Sequence, residues 1–219
     1  MGAGDQLEGR DHAVSEPRPH LQITYADLLT VVHLMHDFPA PWYVSGGWAI
    51  DALVGRATRT HEDVEIGIAR HDQGYLHRHL STWQLYKVVH NTSRNDADLI
   101  PWEPEERLEL PVHQIVAQCP GATPPEFEFF LNEVWENEWQ FRKERSIRRP
   151  LTASYLQTAQ GIPVLTPELQ LLYKATLHRP KDEHDFQTAL GYLGPDQRAW
   201  LKQALESFRP GDPWLDALT

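Results

Sequence analysis

The stretch between residues 42 and 55 constrains the fold most, because an apolar run, a glycine pair and a helical pattern follow one another without a break. Trp42-Tyr43-Val44 predicts a short buried strand, and Trp48 to Val54 predicts a short helix that ends at Gly55. Between them, Ser45-Gly46-Gly47 leaves two backbone positions without β-carbons. Because a helix begins there, backbone N–H groups can approach an anion closely. The stretch therefore predicts a strand, turn and helix that bind a phosphate group.

A strand with acidic side chains on one face follows. In the segment 63–68, Val64, Ile66 and Ile68 alternate with Asp63, Glu65 and Gly67, so the two carboxylates share a face. Two like charges held side by side are unfavourable unless a cation joins them. Oxygen ligands of this kind suit Mg²⁺, which usually binds one or two carboxylates together with phosphate oxygens. A phosphate-binding turn beside such a pair indicates phosphoryl or nucleotidyl transfer.

The composition indicates a globular protein with a large negative charge. A chain of 219 residues corresponds to one large domain, or to a domain with a small appendage. Lysine and arginine number 20 against 31 acidic residues, a formal net charge of −11, which disfavours nucleic acid and favours a cationic small molecule as partner. The single cysteine, Cys119, excludes an internal disulfide framework and a cysteine-built zinc site, and no apolar run is long enough to span a bilayer. We therefore expect a cytoplasmic protein with no membrane partner.

The hydrophobic pattern divides the chain into three parts. Residues 1–20 are polar and are expected to form a disordered tail. Residues 21–150 are expected to form an α/β domain, which opens with a helix capped by Thr24 and ending before Pro39. Residues 151–219 are expected to form a helical C-terminal region, with regular helices from Thr166 onward. The predicted fold class is α+β, a mixed sheet flanked by helices and followed by a helical region.

Other elements are predicted with less detail. Strands are expected at residues 85–89, 112–116 and 127–131, with a weaker candidate at 139–142. A short helix is expected near residues 73–80, and the polar, acidic residues 91–109 are expected to form a loop.

Three motifs within residues 42–65 together resemble a known family. Gly-Gly-Trp-Ala-Ile-Asp, Gly-Arg-Ala-Thr-Arg and His-Glu-Asp-Val-Glu stand in the order found in aminoglycoside nucleotidyltransferases of the 2''-adenylyltransferase type and their lincosamide-modifying relatives. This family belongs to the polymerase-beta-like nucleotidyltransferase superfamily. A weaker resemblance continues at residues 145–150, 165–174 and 179–185. The resemblance therefore extends from about Leu21 to the C-terminus.

The resemblance implies a nucleotide site. Gly46 and Gly47 would hold the triphosphate of an NTP, with ATP as the expected nucleotide. Ser45 and Arg59 would be further phosphate contacts. Lys174 and, less directly, Lys181 would neutralise the leaving pyrophosphate.

The resemblance also implies a metal and catalytic site. Asp63 and Glu65 would bind Mg²⁺, as two ions in the family's manner, and Glu128 would be the third carboxylate and the general base. Glu126 lies on the same strand face and is the alternative third acid. The family usually has aspartate where this chain has Glu65, and its third acid is usually aspartate too.

The function that follows is transfer of NMP from an NTP to a hydroxyl of a small, cationic, aminoglycoside-like acceptor, with release of pyrophosphate. Two alternatives stay open. A non-catalytic relative that binds a nucleotide or a partner would explain the glutamates, and a transferase acting on protein side chains would share the motifs.

Two further features have two interpretations each. Trp102, Trp135 and Trp139 lie among acidic residues, which suits an aminosugar acceptor but equally an ordinary solvated acidic loop. His61 stands inside the motif segment and is either a phosphate contact or a residue that stabilises a carboxylate.

Overall fold

Ten strands form one mixed sheet that six α-helices flank, in a computed structural model that describes residues 22–91 and 96–219. The expected tail at residues 1–20 lies outside the described residues. The strands are β1 (Trp42–Ser45), β2 (Glu65–Ala69), β3 (Gln84–Asn91), β4 (Asp96–Pro101), β5 (Gln114–Gln118), β6 (Glu126–Trp135), β7 (Glu138–Gln140), β8 (Arg148–Pro150), β9 (Tyr155–Gln157) and β10 (Pro163–Leu165). The helices are α1 (Tyr25–Leu34), α2 (Gly46–Val54), α3 (Tyr75–His79), α4 (Pro167–Lys174), α5 (Pro180–Leu190) and α6 (Pro195–Phe208). None of the described helices is both long and apolar enough to cross a bilayer.

The sheet is mixed because two of its strand pairs are parallel. The order is β4-β3-β5-β6-β2-β1-β10-β9, with β7 paired to the end of β6 and β8 paired to β7. β1 is parallel to β10 and β2 is parallel to β6, whereas the other pairs are antiparallel. The predicted fold class, a mixed sheet with flanking helices and a helical C-terminal part, is confirmed.

Alternation along the central strands gives the sheet two different faces. On the first face, apolar side chains of β2 and β6 pack with α1 into a buried core that includes Val44, Ile66, Ile68, Phe127 and Phe129. On the second face, Glu65 and Gly67 of β2 lie beside Glu128 and Phe130 of β6. A second apolar cluster, which includes Tyr43, Trp139 and residues of α4, α5 and α6, covers part of this face. The acidic positions of the central strands therefore point toward the C-terminal helices.

Local signals in the sequence explain the ends of two helices. Thr24 caps α1 in a capping box with Asp27, whose carboxylate accepts the Thr24 N–H at 2.7 Å. Gly55 ends α2 in the left-handed conformation, with φ of 85°. Helix α2 begins at Gly46, two residues earlier than predicted, so the glycine pair forms its first turn.

One expectation about secondary structure is wrong. Residues 96–101 lie in a segment that was expected to be a loop, but they form β4, which pairs along its length with β3. A strand of this kind is stabilised by its partner rather than by its own propensity, and its acidic composition hides it. The sheet continues past residue 150, because β10 pairs with β1 and β9 pairs with β10, and regular helices follow from Pro167 with Thr166 as the cap position, as expected.

Gly67 offers a test of how tightly the second face is packed. A β-carbon at Gly67 would lie 2.2 Å from Cε2 of Tyr43, whose ring is buried and stacked on Tyr155. We expect Gly67→Ala to lower the free energy of unfolding by about 1–3 kcal/mol, because the ring has no space to move aside. Gly74→Ala is the control, since nothing lies within 4 Å of a β-carbon there. Equal stability of the two variants in urea denaturation would contradict this packing.

Candidate active site

A cavity of about 400 Å³ lies between the second face of the sheet and α4. At one end it is lined by Ser45, Gly46 and Glu65, where β1 ends and β2 begins. Gln170 and Lys174 line it from α4. Of the predicted site residues, Ser45, Gly46, Glu65 and Lys174 therefore share one cavity, and the others lie around it.

Gly46 brings the Glu65 carboxylate against the start of α2. Its φ is +67°, a conformation that favours glycine, and a β-carbon there would lie 2.6 Å from Cδ of Glu65. The Gly46 N–H donates to Oε1 of Gln170 at 2.7 Å. The nearby Ser45 Oγ is buried and has no hydrogen-bond partner within the described part of the chain. The first turn of α2 therefore presents an unsatisfied hydroxyl beside a carboxylate.

Gly47 has a different neighbour, the guanidinium of Arg59. A β-carbon at Gly47 would lie 2.0 Å from Nη2 of Arg59. The guanidinium itself makes two parallel hydrogen bonds to Asp185 on α5, at 2.8 and 2.9 Å. Arg59 was predicted to contact phosphate. In the structure its guanidinium pairs with the buried carboxylate of Asp185, and this contact joins the segment after α2 to α5.

Two buried aspartates of α5 hold the cations of the site. Asp185 accepts a second contact from Nζ of Lys174 at 2.6 Å, and Asp182 lies 3.5 Å from the same Nζ. Asp182 also accepts hydrogen bonds from the Arg179 side chain at 2.8 and 3.1 Å. Neither aspartate is exposed to solvent. Because both acceptors are fixed, Lys174 and Arg179 are fixed too.

Electrostatics at Glu65 show that these cations surround it. Burial raises the pKa of Glu65 to about 7, and the charge of Asp63 raises it as well. The charges of Lys174, Lys181 and Arg179 act in the opposite direction. Lys181 is exposed, whereas Lys174 is buried. The three cations therefore face one acidic position, an arrangement that suits the phosphates of a nucleotide.

The third acid lies beside Glu65 on the neighbouring strand. Glu65 and Glu128 are register partners in the parallel β2–β6 ladder, and Gln114 donates to Oε2 of Glu128 at 2.7 Å. Glu126 is two residues earlier on the same strand face and accepts a hydrogen bond from Gln118. Glu128 is therefore the acid in register with Glu65, which favours it over Glu126 as the third acid.

The donor set fits Mg²⁺ by its chemistry. All three acids offer hard oxygen ligands, and the Asp63 charge acts on Glu65 strongly enough to raise its pKa. Across residues 22–91 and 96–219, no three His, Cys, Asp or Glu side chains are gathered closely enough to form a ready metal cage. The assignment of Asp63, Glu65 and Glu128 as metal ligands therefore stays a prediction.

His61 stabilises a carboxylate, which was one of its two interpretations. Its Nε2 lies 2.6 Å from Oδ2 of buried Asp51, and its ring stacks on Trp48 at 4.1 Å. The Thr58 N–H also donates to Asp51, at 2.8 Å. Burial alone would raise the pKa of Asp51, but these hydrogen bonds outweigh it and lower the pKa. Asp51 thus holds the loop between α2 and β2 in place.

The three tryptophans do not form one aromatic surface. Trp102 and Trp139 are buried, whereas the side chain of Trp135 is 68% exposed at the end of β6. The structure therefore does not place them together as a binding platform for an aminosugar.

Sequence reasoning missed the residues that position the predicted ones. Gln170, Arg179, Asp182 and Asp185 hold or flank the site, and none was assigned a role from the sequence. All four lie in segments 165–174 and 179–185, whose resemblance to the family was the available signal. A residue that acts only by contacting another residue has no pattern of its own.

This arrangement of fold and site defines a nucleotidyltransferase. The profile of the aminoglycoside-2''-adenylyltransferase family matches residues 27–188, most of the chain. The chain belongs to the aminoglycoside-2''-adenylyltransferase family.

One relative and two solved structures illustrate this kinship. A lincosamide resistance protein of Staphylococcus haemolyticus is 23% identical over 163 residues, which cover 74% of this chain and 91% of the relative. The crystal structure of ANT(2'')-Ia in complex with adenylyl-2''-tobramycin matches with a TM-score of 0.54 at 16% identity, over 85% of this chain and 98% of that one. The crystal structure of the lincosamide antibiotic adenylyltransferase LnuA with lincomycin bound matches with a TM-score of 0.50 at 14% identity, over 77% and 97%. At these identities the structures show a shared fold.

Asp185→Asn tests the ion pairs that hold the site together. Burial would raise the pKa of Asp185, but the hydrogen bond from Arg59 and the charge of Lys174 lower it, so its stabilisation is present above its ordinary value and is lost as the pH falls. We expect the variant to lose about 3–5 kcal/mol of unfolding free energy at pH 7, because Arg59 loses its charge partner and buried Lys174 loses the nearer of its two. The loss should shrink as the pH falls below about 4. Exposed Asp216→Asn is the control, and a loss equal to that of the control in urea denaturation would contradict the assignment.

Glu65→Gln tests whether the ionised carboxylate of Glu65 destabilises the folded protein. Because the pKa of Glu65 is raised to about 7, the folded protein binds its proton more tightly than the unfolded chain does. Its contribution to stability therefore falls as the pH rises from about 4.5 to about 7. We expect Glu65→Gln to raise the free energy of unfolding at pH 8 by about 1–3 kcal/mol without Mg²⁺ or nucleotide. Exposed Glu105→Gln should leave it unchanged, and a destabilised Glu65→Gln at pH 8 would be the contrary result.

Proposed function

We propose that the chain transfers a nucleoside monophosphate from an NTP, with ATP as the expected donor, to a hydroxyl of a small antibiotic-like acceptor and releases pyrophosphate. One observation carries the proposal: the Glu65 carboxylate lies against the first turn of α2, and the charges of Lys174, Lys181 and Arg179 act on it. Carboxylates for a metal and cations for phosphates thus meet in one cavity. The family and the names of the relatives support an antibiotic as acceptor.

In this proposal the phosphate chain lies between α2 and the α4–α5 corner. Ser45 Oγ, which lacks a hydrogen-bond partner among the described residues, would donate to a phosphate oxygen. The positive end of the α2 dipole would act in the same direction. Lys174 and Lys181 would neutralise the charge that develops on the leaving pyrophosphate, and Arg179 would assist them.

Asp63, Glu65 and Glu128 would hold the metal. When bound, Mg²⁺ would neutralise the phosphate charge and favour attack at the α-phosphorus. Glutamate at position 65 has one methylene more than aspartate, and the space for it comes from Gly46, which has no β-carbon. The close approach of Gly46 and Glu65 is thus how this chain accommodates the longer acid.

The reaction needs one proton acceptor. The acceptor oxygen forms a bond to the α-phosphorus, the bond from that phosphorus to the oxygen bridging to the β-phosphorus breaks, and pyrophosphate leaves with the electron pair. Glu128 would take the hydroxyl proton. The hydrogen bond from Gln114 orients the Glu128 carboxylate for that step.

A second candidate is a non-catalytic relative that binds a nucleotide. It is favoured by Glu65, because a carboxylate that is half-protonated near pH 7 is a weaker ligand for Mg²⁺. The two candidates predict opposite results when aspartate is placed at this position, since only a working enzyme can gain activity.

Pyrophosphate release is the direct test. We expect release with Mg²⁺, ATP and either lincomycin or tobramycin, and no release without an acceptor. Asp63→Asn and Glu65→Gln should each lower the rate at least about 100-fold, because a carboxylate that binds the metal contributes several kcal/mol to the transition state. Glu65→Asp should retain or raise the rate.

Exposed Glu105→Gln is the control for these variants, since it changes the same kind of charge away from the cavity. Tight ATP binding without release, together with no gain from Glu65→Asp, would favour the non-catalytic candidate. Release that persists in Asp63→Asn would contradict the assignment of the site.

A further inference from the structure

The cavity has a second end, away from Glu65, with a different chemistry. Its wall follows β6 over Phe130, Leu131 and Asn132. His90, His113, Asn132 and Arg142 line this far end. We call it the acceptor end, because under the proposed function the triphosphate occupies the end at Gly46.

Arg142 is a cation that lines the acceptor end. Its side chain is partly buried and forms no hydrogen bond or ion pair with any residue that the structure describes. Arg70, the other arginine nearby, is tied to Glu133 at 2.7 Å and to the carbonyls of Leu108 and Val112. Glu133 pairs directly with Arg70 and its charge also acts on Arg142, so Arg70 and Arg142 are two cations that share one carboxylate.

The backbone at Arg142 is anchored, so its position is not that of a loose surface residue. The preceding Phe141 is fully buried between Tyr173 and Phe208, at ring distances of 5.1 Å each. Burial lowers the pKa of Arg142, Tyr173 and the charge of Glu133 act in the opposite direction, and the charge of Arg70 lowers it. A guanidinium nevertheless stays protonated at neutral pH. The wall therefore presents N–H donors with a positive charge on an anchored stretch of backbone.

The neighbouring histidines add no negative charge to balance it. His113 Nδ1 lies 2.8 Å from the Pro111 carbonyl, and burial lowers the pKa of His113 to about 4. The imidazole is thus neutral, with its Nδ1–H donated to that carbonyl. The His90 and His113 rings are stacked at 6.0 Å. The acceptor end has a local charge opposite in sign to the net charge of −11 for the whole chain.

We propose that Arg142 makes the acceptor end a subsite for a carbonyl or carboxylate oxygen of the acceptor and excludes ammonium groups from it. This inference rests on the proposed function and narrows its acceptor class. Buried donors without partners select ligands that satisfy them, since a ligand lacking the matching group leaves them unpaired. An ammonium group placed there would meet a like charge in a partly desolvated wall. Acceptors with ammonium groups at every end are therefore disfavoured, whereas a molecule with one amine and a carboxamide fits.

The test compares two probes by calorimetry on the full chain with Mg²⁺ and α,β-methylene-ATP, which cannot transfer its nucleotide. Lincomycin has a carboxamide carbonyl and one amine, and tobramycin has several amines and no carbonyl. We expect the native protein to bind lincomycin more tightly than tobramycin. Arg142→Gln should weaken lincomycin binding about 10- to 100-fold, the usual range for a hydrogen bond to a charged group. Arg142→Glu should weaken it further and tighten tobramycin binding.

The controls separate this subsite from folding and from the nucleotide site. Arg145→Gln, an exposed arginine in the same loop, should bind both probes as the native protein does. Affinity for α,β-methylene-ATP should be the same in all variants, which also shows that they are folded.

Three results would overturn the inference. These are unchanged lincomycin affinity in Arg142→Gln, tighter binding of tobramycin than of lincomycin by the native protein, and binding of neither probe. Weaker nucleotide binding in Arg142→Gln would also overturn it by assigning Arg142 to the phosphates. Asp63-dependent pyrophosphate release with tobramycin but not with lincomycin would keep the proposed function while rejecting this subsite, so the two failures are distinguishable.

Discussion

The buried carboxylate of Asp185 accepts from two cations at once, and the geometry of the site depends on that double contact. Arg59 reaches it from the loop after α2, and Lys174 reaches it from the end of α4. The first helix of the site and the C-terminal helices are thereby joined through one charge that has no access to water. An uncompensated charge is costly in such surroundings, so all three groups must stay together. Gly47 completes the contact, since only a residue without a β-carbon leaves room for the Arg59 guanidinium.

The cations around the cavity divide into those that are held and those that are available. Arg59 is paired with Asp185, so it positions the site, and its predicted phosphate contact stays a prediction. Lys174 and Arg179 are held by aspartates yet still act on Glu65, which leaves their positive potential directed into the cavity. Arg142 has no such partner among the described residues. Whether a cation has an ion-pair partner therefore distinguishes a positioning residue from a candidate ligand contact better than whether it is a lysine or an arginine.

The acidic end of the site is unfavourable for the empty protein. Glu65 is partly buried beside the charge of Asp63 and against the backbone of Gly46, so its ionised form is disfavoured. Glu65 is held there because β2 pairs in parallel with β6, where Glu128 is its register partner. Buried apolar residues on the other face of the same strands also hold them in place. Such a conflict is typical of functional sites, where an element is kept in place by structure whose own stability is independent of it.

By itself the sequence determined the elements whose signals are local. Thr24 and Gly55 mark helix ends, the segment around Gly46 and Gly47 marks the turn, and the alternation after Asp63 marks β2, because caps, turns and periodicity act within a few residues. Tertiary structure alone decided which groups meet across long separations. The strand at 96–101 exists through its pairing with β3, Arg59 turns to a residue 126 positions away, and Glu128 is in register with Glu65 through β2 and β6. At the far end of the cavity, Glu133 likewise forms its ion pair with Arg70 and not with Arg142. Packing decides this pairing, and the composition does not reveal it. Long-range pairing depends on three-dimensional distance, and no local pattern in a chain records it.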